Sequence, residues 1–167
     1  MNFGRVLTIE IVALDEERGK AIIEISFSGV HDHRWPHRDE ILDYLREEMR
    51  ERKPSAILIN FLNYQYSWGN ELFGPIFEIS WDSENSRTRV CSIIASGKTA
   101  ESVKNLLTNS NTLGVLDITL FDEKEKALDH LKSRLRPDSG IHAQPPRRHQ
   151  RCPSHGAGRL PRQNGAR

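Results

Sequence analysis

The stretch that decides the fold runs from Ile57 to Gly74 and reads ILINFLNYQYSWGNELFG. The segment Ala56–Phe61 is apolar apart from Asn60, which is typical of a central strand covered on both faces. A short polar loop follows, and a helix is predicted over Trp68–Ile79. A strand that leads directly into a helix places free N–H groups at the carboxyl end of the strand, where α/β proteins commonly have their sites.

The flanking segments alternate between strand and helix patterns. Alternating apolar residues predict a hairpin of two strands, Val6–Leu14 and Ala21–Ser28, and a helix with an apolar face is predicted between Pro36 and Pro54. Further elements are predicted at Arg89–Ala95 (strand), Thr99–Leu107 (helix), Ile118–Phe121 (strand) and after the capping-box pattern Asp122-Glu-Lys-Glu125 (helix). The predicted fold class is α/β, with about five strands in a mixed sheet and helices packed against it.

The composition changes abruptly at Pro137. From there to Arg167 the chain holds six arginines, one aspartate and no lysine, together with five prolines and four glycines. Subtracting these charges from the totals of 24 basic and 23 acidic residues leaves 18 and 22, a net charge of −4 for residues 1–136. The terminal segment has too little apolar surface to offset its ordering entropy. We therefore predict one domain over residues 1–136 and a disordered basic Pro/Arg-rich tail over residues 137–167.

The sequence also indicates a cellular location. No apolar run approaches the roughly 20 residues that cross a bilayer, and the first residues lack the pattern of a secretory signal. Cys91 lies in a predicted strand and Cys152 in the tail, so no structural disulfide is predicted and the reducing cytoplasm is expected. The tail arginines lack interleaved aromatic residues for base stacking, so nucleic acid is not an expected partner.

The order and spacing of four features resemble the STAS domain, which occurs in anti-sigma factor antagonists and sulfate transporters. The features are the hairpin ending Phe27-Ser-Gly-Val30, the strand Ile57–Phe61, the turn Ser67-Trp-Gly69, and the closing pattern from Leu113-Gly-Val-Leu116 to Ala127-Leu128. The resemblance extends from Val6 to Leu135. It implies a bacterial signalling and regulatory domain that is not an enzyme, needs no cofactor, and acts through protein–protein interaction.

In STAS domains the turn before the second helix normally carries Asp-Ser-Ser/Thr-Gly, and a partner kinase phosphorylates its hydroxyl group. In this chain Trp68 stands where a small hydroxyl residue is expected. The resemblance implies a phosphorylation site at Ser67 and a partner-binding surface that consists of Tyr66, Ser67, Trp68, Gly69 and Asn70. The implied partner is an anti-sigma factor, a serine kinase-like protein or another STAS domain, and docking independent of phosphorylation is the alternative.

Two questions about this turn stay open at the level of sequence. Ser67 is either a phosphate acceptor or the N-cap of the following helix, whose first N–H groups need an acceptor. Tyr64, Tyr66 and Trp68 either form an exposed docking patch, since aromatic residues are enriched at interfaces, or close the core beneath the loop.

A second candidate site is the start of the third helix, at Ser96, Gly97, Lys98 and Thr99. A phosphate loop would require glycine five positions before Gly97, where the chain has Ser92. The free N–H groups of a helix start can still hold an anion. The alternative function is therefore a sensor domain for a small anion or nucleotide, with helix N-termini near Ser67 and Ser96 as the binding site.

No metal site and no catalytic residue is predicted. Histidines at positions 31, 33 and 37, with aspartates at 32 and 39, match no closed zinc site, so a solvated loop is expected there. His130 lies on the last predicted helix and has no nucleophile near it in sequence.

Overall fold

The computed structural model describes residues 1, 7–17, 20–31, 37–66, 71–112 and 118–135, with only the backbone for residues 15–17, 20 and 109–112. The helices and strands in these ranges are β1 Leu7–Glu17, β2 Lys20–Val30, α1 Arg38–Arg52, β3 Ala56–Gln65, α2 Phe73–Ser80, β4 Trp81–Asp82, β5 Arg87–Thr88, β6 Val90–Ile94, α3 Gly97–Thr112, β7 Ile118–Phe121 and α4 Lys124–Leu135. In this described part no helix is long and apolar enough to cross a membrane. The predicted tail lies outside it.

Five of the strands form one mixed sheet in the order β1-β2-β3-β6-β7. The hairpin β1–β2 is antiparallel, and the pairs β2–β3, β3–β6 and β6–β7 are parallel. This arrangement confirms the predicted α/β class and the mixed five-stranded sheet. Strands β4 and β5 form a separate antiparallel two-stranded ribbon between α2 and β6.

Two apolar clusters cover the two faces of the sheet, because successive side chains along a strand point to opposite faces. In β2, Ile23 belongs to the larger cluster, which also holds the inner faces of α1, α2 and α3. Its neighbour Ile22 packs in the smaller cluster, with Ala127 and Leu131 of α4. Each fully buried Leu or Ile side chain stabilises the fold by about 1.5–3 kcal/mol.

Strand β3 is longer than the sequence predicts. It continues to Gln65 instead of ending at Phe61, because a bulge lets the strand pass the polar side chain of Asn60. The side-chain oxygen of Asn60 accepts a hydrogen bond from the backbone N–H of Leu62 at 3.0 Å. The polar residues beyond Phe61 are thus part of the strand and not of a loop.

Helix α2 is shorter than predicted. It begins at Phe73, and the residues at positions 71 and 72 form a turn, so the predicted start at Trp68 is wrong. The N-cap of α2 is Leu72, which makes no side-chain capping hydrogen bond. Helix α3 is longer than predicted, because it extends from Gly97 to Thr112 instead of from Thr99 to Leu107.

A buried carboxylate joins α4 to the sheet. Glu24 in β2 is 5% exposed and accepts hydrogen bonds from Asn60 Nδ2 at 2.6 Å, Lys124 Nζ at 2.6 Å and Ser26 Oγ at 3.1 Å. Burial raises the pKa of Glu24, but these donors outweigh that effect and hold the pKa below its ordinary value. The carboxylate therefore stays charged and paired at neutral pH.

Candidate functional site

The carboxyl ends of β2 and β3 and the start of α3 meet at one edge of the sheet. The backbone N–H of His31 donates to the carbonyl of Gln65 at 2.8 Å, which continues the pairing of β2 with β3. The hydroxyl of Thr99 donates to the carbonyl of Tyr64 at 2.8 Å and accepts from the N–H of Tyr66 at 3.1 Å. Thr99 therefore ties the first turn of α3 to the end of β3, directly before the predicted docking turn.

Aromatic side chains fill the space beneath this edge. Tyr64 and Tyr66 are 2% and 1% exposed, so these two rings close the core, which is the second of the two interpretations above. His31 Nδ1 lies 3.0 Å from the hydroxyl of Tyr64, and the His31 ring packs edge-on against Tyr66 with centroids 4.8 Å apart. His31 Nε2 lies 3.7 Å from a carboxylate oxygen of Glu71. We call His31, Tyr64, Tyr66, Glu71 and Thr99 the β3-end cluster.

The environment keeps Tyr66 protonated. Burial raises its pKa, and the nearby carboxylate of Glu71 adds to the shift, so that the pKa of Tyr66 is about 12. Burial deprives the charged phenolate form of water, and the carboxylate of Glu71 repels it. Tyr66 is thus a neutral anchor at physiological pH.

The sequence did not identify His31 and Glu71 as neighbours of the predicted turn. The sequence predicts a solvated loop at His31, but the side chain of His31 is only 5% exposed. The sequence does contain a signal for this proximity. The ends of neighbouring parallel strands lie side by side, and His31 and Gln65 come shortly after the predicted strands Ala21–Ser28 and Ala56–Phe61. The predicted end of β3 at Phe61 concealed this relation.

The remaining residues of the predicted docking turn, Ser67, Trp68, Gly69 and Asn70, lie outside the described residues. After the turn, α2 carries a row of half-buried rings on one side. The rings of Phe73 and Phe77 stack with centroids 6.0 Å apart, and those of Phe77 and Trp81 also stack at 6.0 Å. An aromatic surface thus begins immediately after the turn.

The predicted anion site at the start of α3 is only partly open. Ser96, Gly97 and Lys98 are exposed, whereas Thr99 is buried and engaged with the end of β3. The φ angle of Gly97 is +54°, a conformation that side-chain-bearing residues adopt at a cost in strain. Thr99 therefore contributes to the anchoring of the β3 end, and its hydroxyl group does not point toward solvent.

The predicted histidine loop brings no metal ligands together among the described residues. His37 is exposed, and its Nδ1 lies 3.1 Å from Glu40, whereas His31 lies in the β3-end cluster. His33 and Asp32 are outside the described ranges. Within those ranges no group of three or more His, Cys, Asp or Glu side chains could hold a metal ion.

The structure places a hydroxyl group next to His130 that the sequence does not reveal. Ser92 Oγ in β6 lies 3.0 Å from His130 Nδ1 in α4, although 38 positions separate the two residues. Ser92 is 0% exposed, and the His130 ring packs 5.3 Å from that of Phe121. A nucleophile must be accessible to its substrate, and the Ser92 hydroxyl is buried. The contact between Ser92 and His130 therefore serves to join α4 to the sheet.

Comparison with known proteins identifies the fold. The sequence matches no protein-family model and no curated protein. Among solved structures, an anti-sigma factor antagonist from Mycobacterium paratuberculosis aligns with a TM-score of 0.54 at 13% identity, covering 79% of this chain and 99% of that chain.

Two further solved structures align less closely. An uncharacterised protein with a SpoIIAA-like fold from Shewanella loihica has a TM-score of 0.46 at 14% identity, with 75% of this chain and 94% of that chain covered. The Bacillus cell fate determinant SpoIIAA in its phosphorylated form has a TM-score of 0.45 at 16% identity, with 74% and 99% covered. The strand order, the helix placement and the first of these alignments together assign the described chain to the STAS-like fold of anti-sigma factor antagonists.

Proposed function

We propose that this domain is a non-enzymatic regulatory module of the cytoplasm that docks onto a protein partner through the turn and helix at residues 66–79. Ser67 is the proposed phosphorylation site that controls docking. The observation that carries the proposal is the anchored base of the turn. Thr99 fixes the backbone on both sides of Gln65, and the half-buried rings of Phe73 and Phe77 follow on α2.

This arrangement suits docking because it combines a rigid base with an aromatic surface. A preorganised surface loses less conformational entropy on binding, so more of the contact energy appears as affinity. Tyr66 contributes from below, as a buried anchor, and the partner contacts Ser67 to Asn70 together with the ring of Phe73. Phosphate at Ser67 would add nearly two negative charges beside these contacts and change the affinity for the partner.

The fold supports the choice of partner class. The aligned Mycobacterium protein is an anti-sigma factor antagonist, so the proposed partner of this chain is an anti-sigma factor or a serine kinase-like protein. The alternative partner is another STAS domain, bound through the same surface. The domain needs no cofactor for this activity.

Affinity purification from the native cytoplasm tests the proposal, with the full chain as wild type, Ser67→Ala and Ser67→Asp. We expect the wild type and Ser67→Ala to recover the same sigma-regulatory protein, and Ser67→Asp to recover less of it. Ser133→Asp is the matched control, because Ser133 is exposed on α4. Equal recovery by all four proteins would remove Ser67 as the control point of docking.

A second pair of variants tests the docking surface itself. Phe73→Ala should weaken binding of the recovered partner about fivefold or more, as truncation of an aromatic interface residue commonly does. Leu62→Ala is the control, because Leu62 is 43% exposed and lies outside residues 66–79. If both variants bind the partner as tightly as the wild type, the surface at 66–79 is not the docking site.

A further inference from the structure

A groove of about 840 Å³ lies at the other end of β3. Pro54 and Ser55, which precede β3, and Val90, which begins β6, line its base. Its walls come from the last turns of α1 and α4, from the end of α2 and from the β4–β5 ribbon. Its volume lies within the range of about 300–1,000 Å³ that is usual for small-molecule sites. The turn proposed for docking follows the opposite end of β3, which spans about 30 Å at the usual rise per residue. Phe77 and Glu78, near the end of α2, line the groove as well as belonging to the segment 66–79.

The charges that line this groove are unbalanced. Six basic side chains line it, at positions 46, 50, 53, 87, 89 and 134, against three acidic ones at positions 78, 82 and 84. Each acidic side chain already lies beside a basic one: Arg46 Nη2 is 2.7 Å from Glu78, Lys53 Nζ is 3.4 Å from Glu84, and Arg89 Nη2 is 3.5 Å from Asp82. The lining therefore has three more positive than negative side chains, although the domain as a whole is acidic. Asp43 and Glu47, next to Arg46 and Arg50, lie outside the lining and reduce this excess.

Two of the basic side chains are well placed to meet a ligand. Arg50 and Arg87 are 67% and 72% exposed, and their acidic neighbours are 3.5 and 3.6 Å away, longer than a strong charged hydrogen bond. Arg89 has a different role, because it is 10% exposed and donates to the carbonyl of Ile79 at 3.2 Å. Arg89 thus holds the ribbon, while Arg50 and Arg87 remain accessible to an anion.

One wall of the groove is aromatic. Phe77 and Trp81 both line it, and their rings are nearly parallel, with an angle of 14° and centroids 6.0 Å apart. Both side chains are half-buried, so part of each ring faces the groove. Such rings can stack against a planar ring of a ligand, and the contact contributes about 1–3 kcal/mol for a nucleic-acid base.

We propose that this groove binds a nucleoside phosphate, with its base against Trp81 and Phe77 and its phosphates at Arg50 and Arg87. A planar aromatic ring joined to several negative charges matches the two halves of the lining. Arginine suits the phosphate end because its planar guanidinium group forms paired hydrogen bonds with phosphate oxygens. The site does not include the turn that begins at Tyr66 or the exposed start of α3, but it shares Phe77 with the helix proposed for docking.

Calorimetric titration of the full chain with ATP, tripolyphosphate and adenosine tests this inference. We expect ATP to bind more tightly than either fragment, because only ATP supplies both the ring and the charges. Arg50→Glu and Arg87→Glu should each weaken ATP binding about tenfold or more, the size of one lost charged hydrogen bond. Trp81→Leu should weaken ATP binding and leave tripolyphosphate binding unchanged.

Lys98→Glu tests the competing anion site at the start of α3, because it reverses an exposed charge there and leaves the groove intact. We expect it to bind ATP as the wild type does, with all variants checked for an unchanged thermal midpoint. Loss of ATP binding in Lys98→Glu but not in Arg50→Glu would overturn the groove assignment. Tripolyphosphate binding as tight as ATP binding would overturn the role of the aromatic wall, and absence of ATP binding at millimolar concentration would overturn the whole inference.

Discussion

The two ends of β3 have opposite physical characters. At the carboxyl end, His31, Tyr64, Tyr66 and Thr99 are buried and joined by hydrogen bonds or ring contacts. At the amino end, many of the side chains that line the groove are charged, and Arg50, Lys53 and Arg87 are largely exposed, with acidic partners at distances above 3 Å. Buried, hydrogen-bonded groups resist movement, whereas exposed charges rearrange at little cost.

This difference indicates how one small domain could carry two separate binding surfaces. A docking turn needs a fixed base, and the β3-end cluster supplies one. A ligand groove needs side chains that can reorient around an anion, and the exposed arginines supply those. Substitutions at the two ends should therefore differ mainly in their effect on stability.

The largest expected effect is that of Tyr66→Ala. Removing a fully buried aromatic ring should lower the free energy of unfolding by about 3–5 kcal/mol. Arg50→Ala at the groove should change it by no more than about 0.5 kcal/mol, because Arg50 is 67% exposed. Urea denaturation measures both values, and similar losses for the two variants would contradict the contrast between the two ends.

An intermediate effect is expected from Thr99→Val, which keeps the shape of the side chain but removes its hydroxyl group. The buried N–H of Tyr66 then loses its acceptor, at a cost of about 1–3 kcal/mol. Thr108→Val is the matched control, since the Thr108 hydroxyl donates to the carbonyl of Lys104 on an exposed face of α3. A loss for Thr99→Val no larger than for Thr108→Val would show that the anchor contributes little.

The smallest effect concerns Asp82, a buried carboxylate that lines the groove. The side-chain amide of Asn85 and the guanidinium groups of Arg89 and Arg87 hold the pKa of Asp82 below its ordinary value of 3.8, against the raising effect of burial. A carboxylate with a lowered folded pKa contributes stability that is complete above its unfolded pKa and is lost as the pH falls through the folded pKa.

Asp82→Asn should therefore make the unfolding free energy fall less steeply than in the wild type between about pH 5 and pH 3. Urea denaturation across this range, followed by circular dichroism, gives the two slopes. Glu101→Gln, which removes an exposed carboxylate of α3, controls for the loss of one negative charge. Parallel curves for the wild type and Asp82→Asn would mean that Asp82 does not titrate differently in the folded chain.

Much of the fold follows from local patterns in the sequence. The alternation of apolar residues in the hairpin and the apolar run at Ala56 predict strands, and their order predicts the mixed sheet. The errors lie at polar residues inside strands and at helix ends. The polar residues after Phe61 interrupt the apolar pattern, so the sequence predicts that β3 ends at Phe61. In the fold, the side chain of Asn60 bonds to Glu24 and to the backbone N–H of Leu62 within a bulge, and the strand continues to Gln65.

The candidate sites were less predictable because they join distant segments. The sequence predicts Tyr66 and Thr99 as members of two different candidate sites, and only the fold shows the hydrogen bond between them. The groove combines the ends of α1 and α4 with the β4–β5 ribbon, and each of these looks like an ordinary solvated surface by itself. The pairing of Ser92 with His130 is hidden for the same reason, since a central strand and the last helix supply one residue each.

The bond between Glu24 and Lys124 has a consequence for how the chain is made. The two residues are 100 positions apart, so a ribosome that has released β1, β2 and β3 has not yet released the cation that pairs with the Glu24 carboxylate. Until α4 emerges, Glu24 lies on an uncovered sheet face, where water must solvate its charge. The native pairing of Glu24 can therefore form only after Lys124 has been synthesised, and any chain cut before Lys124 should stay open to proteases.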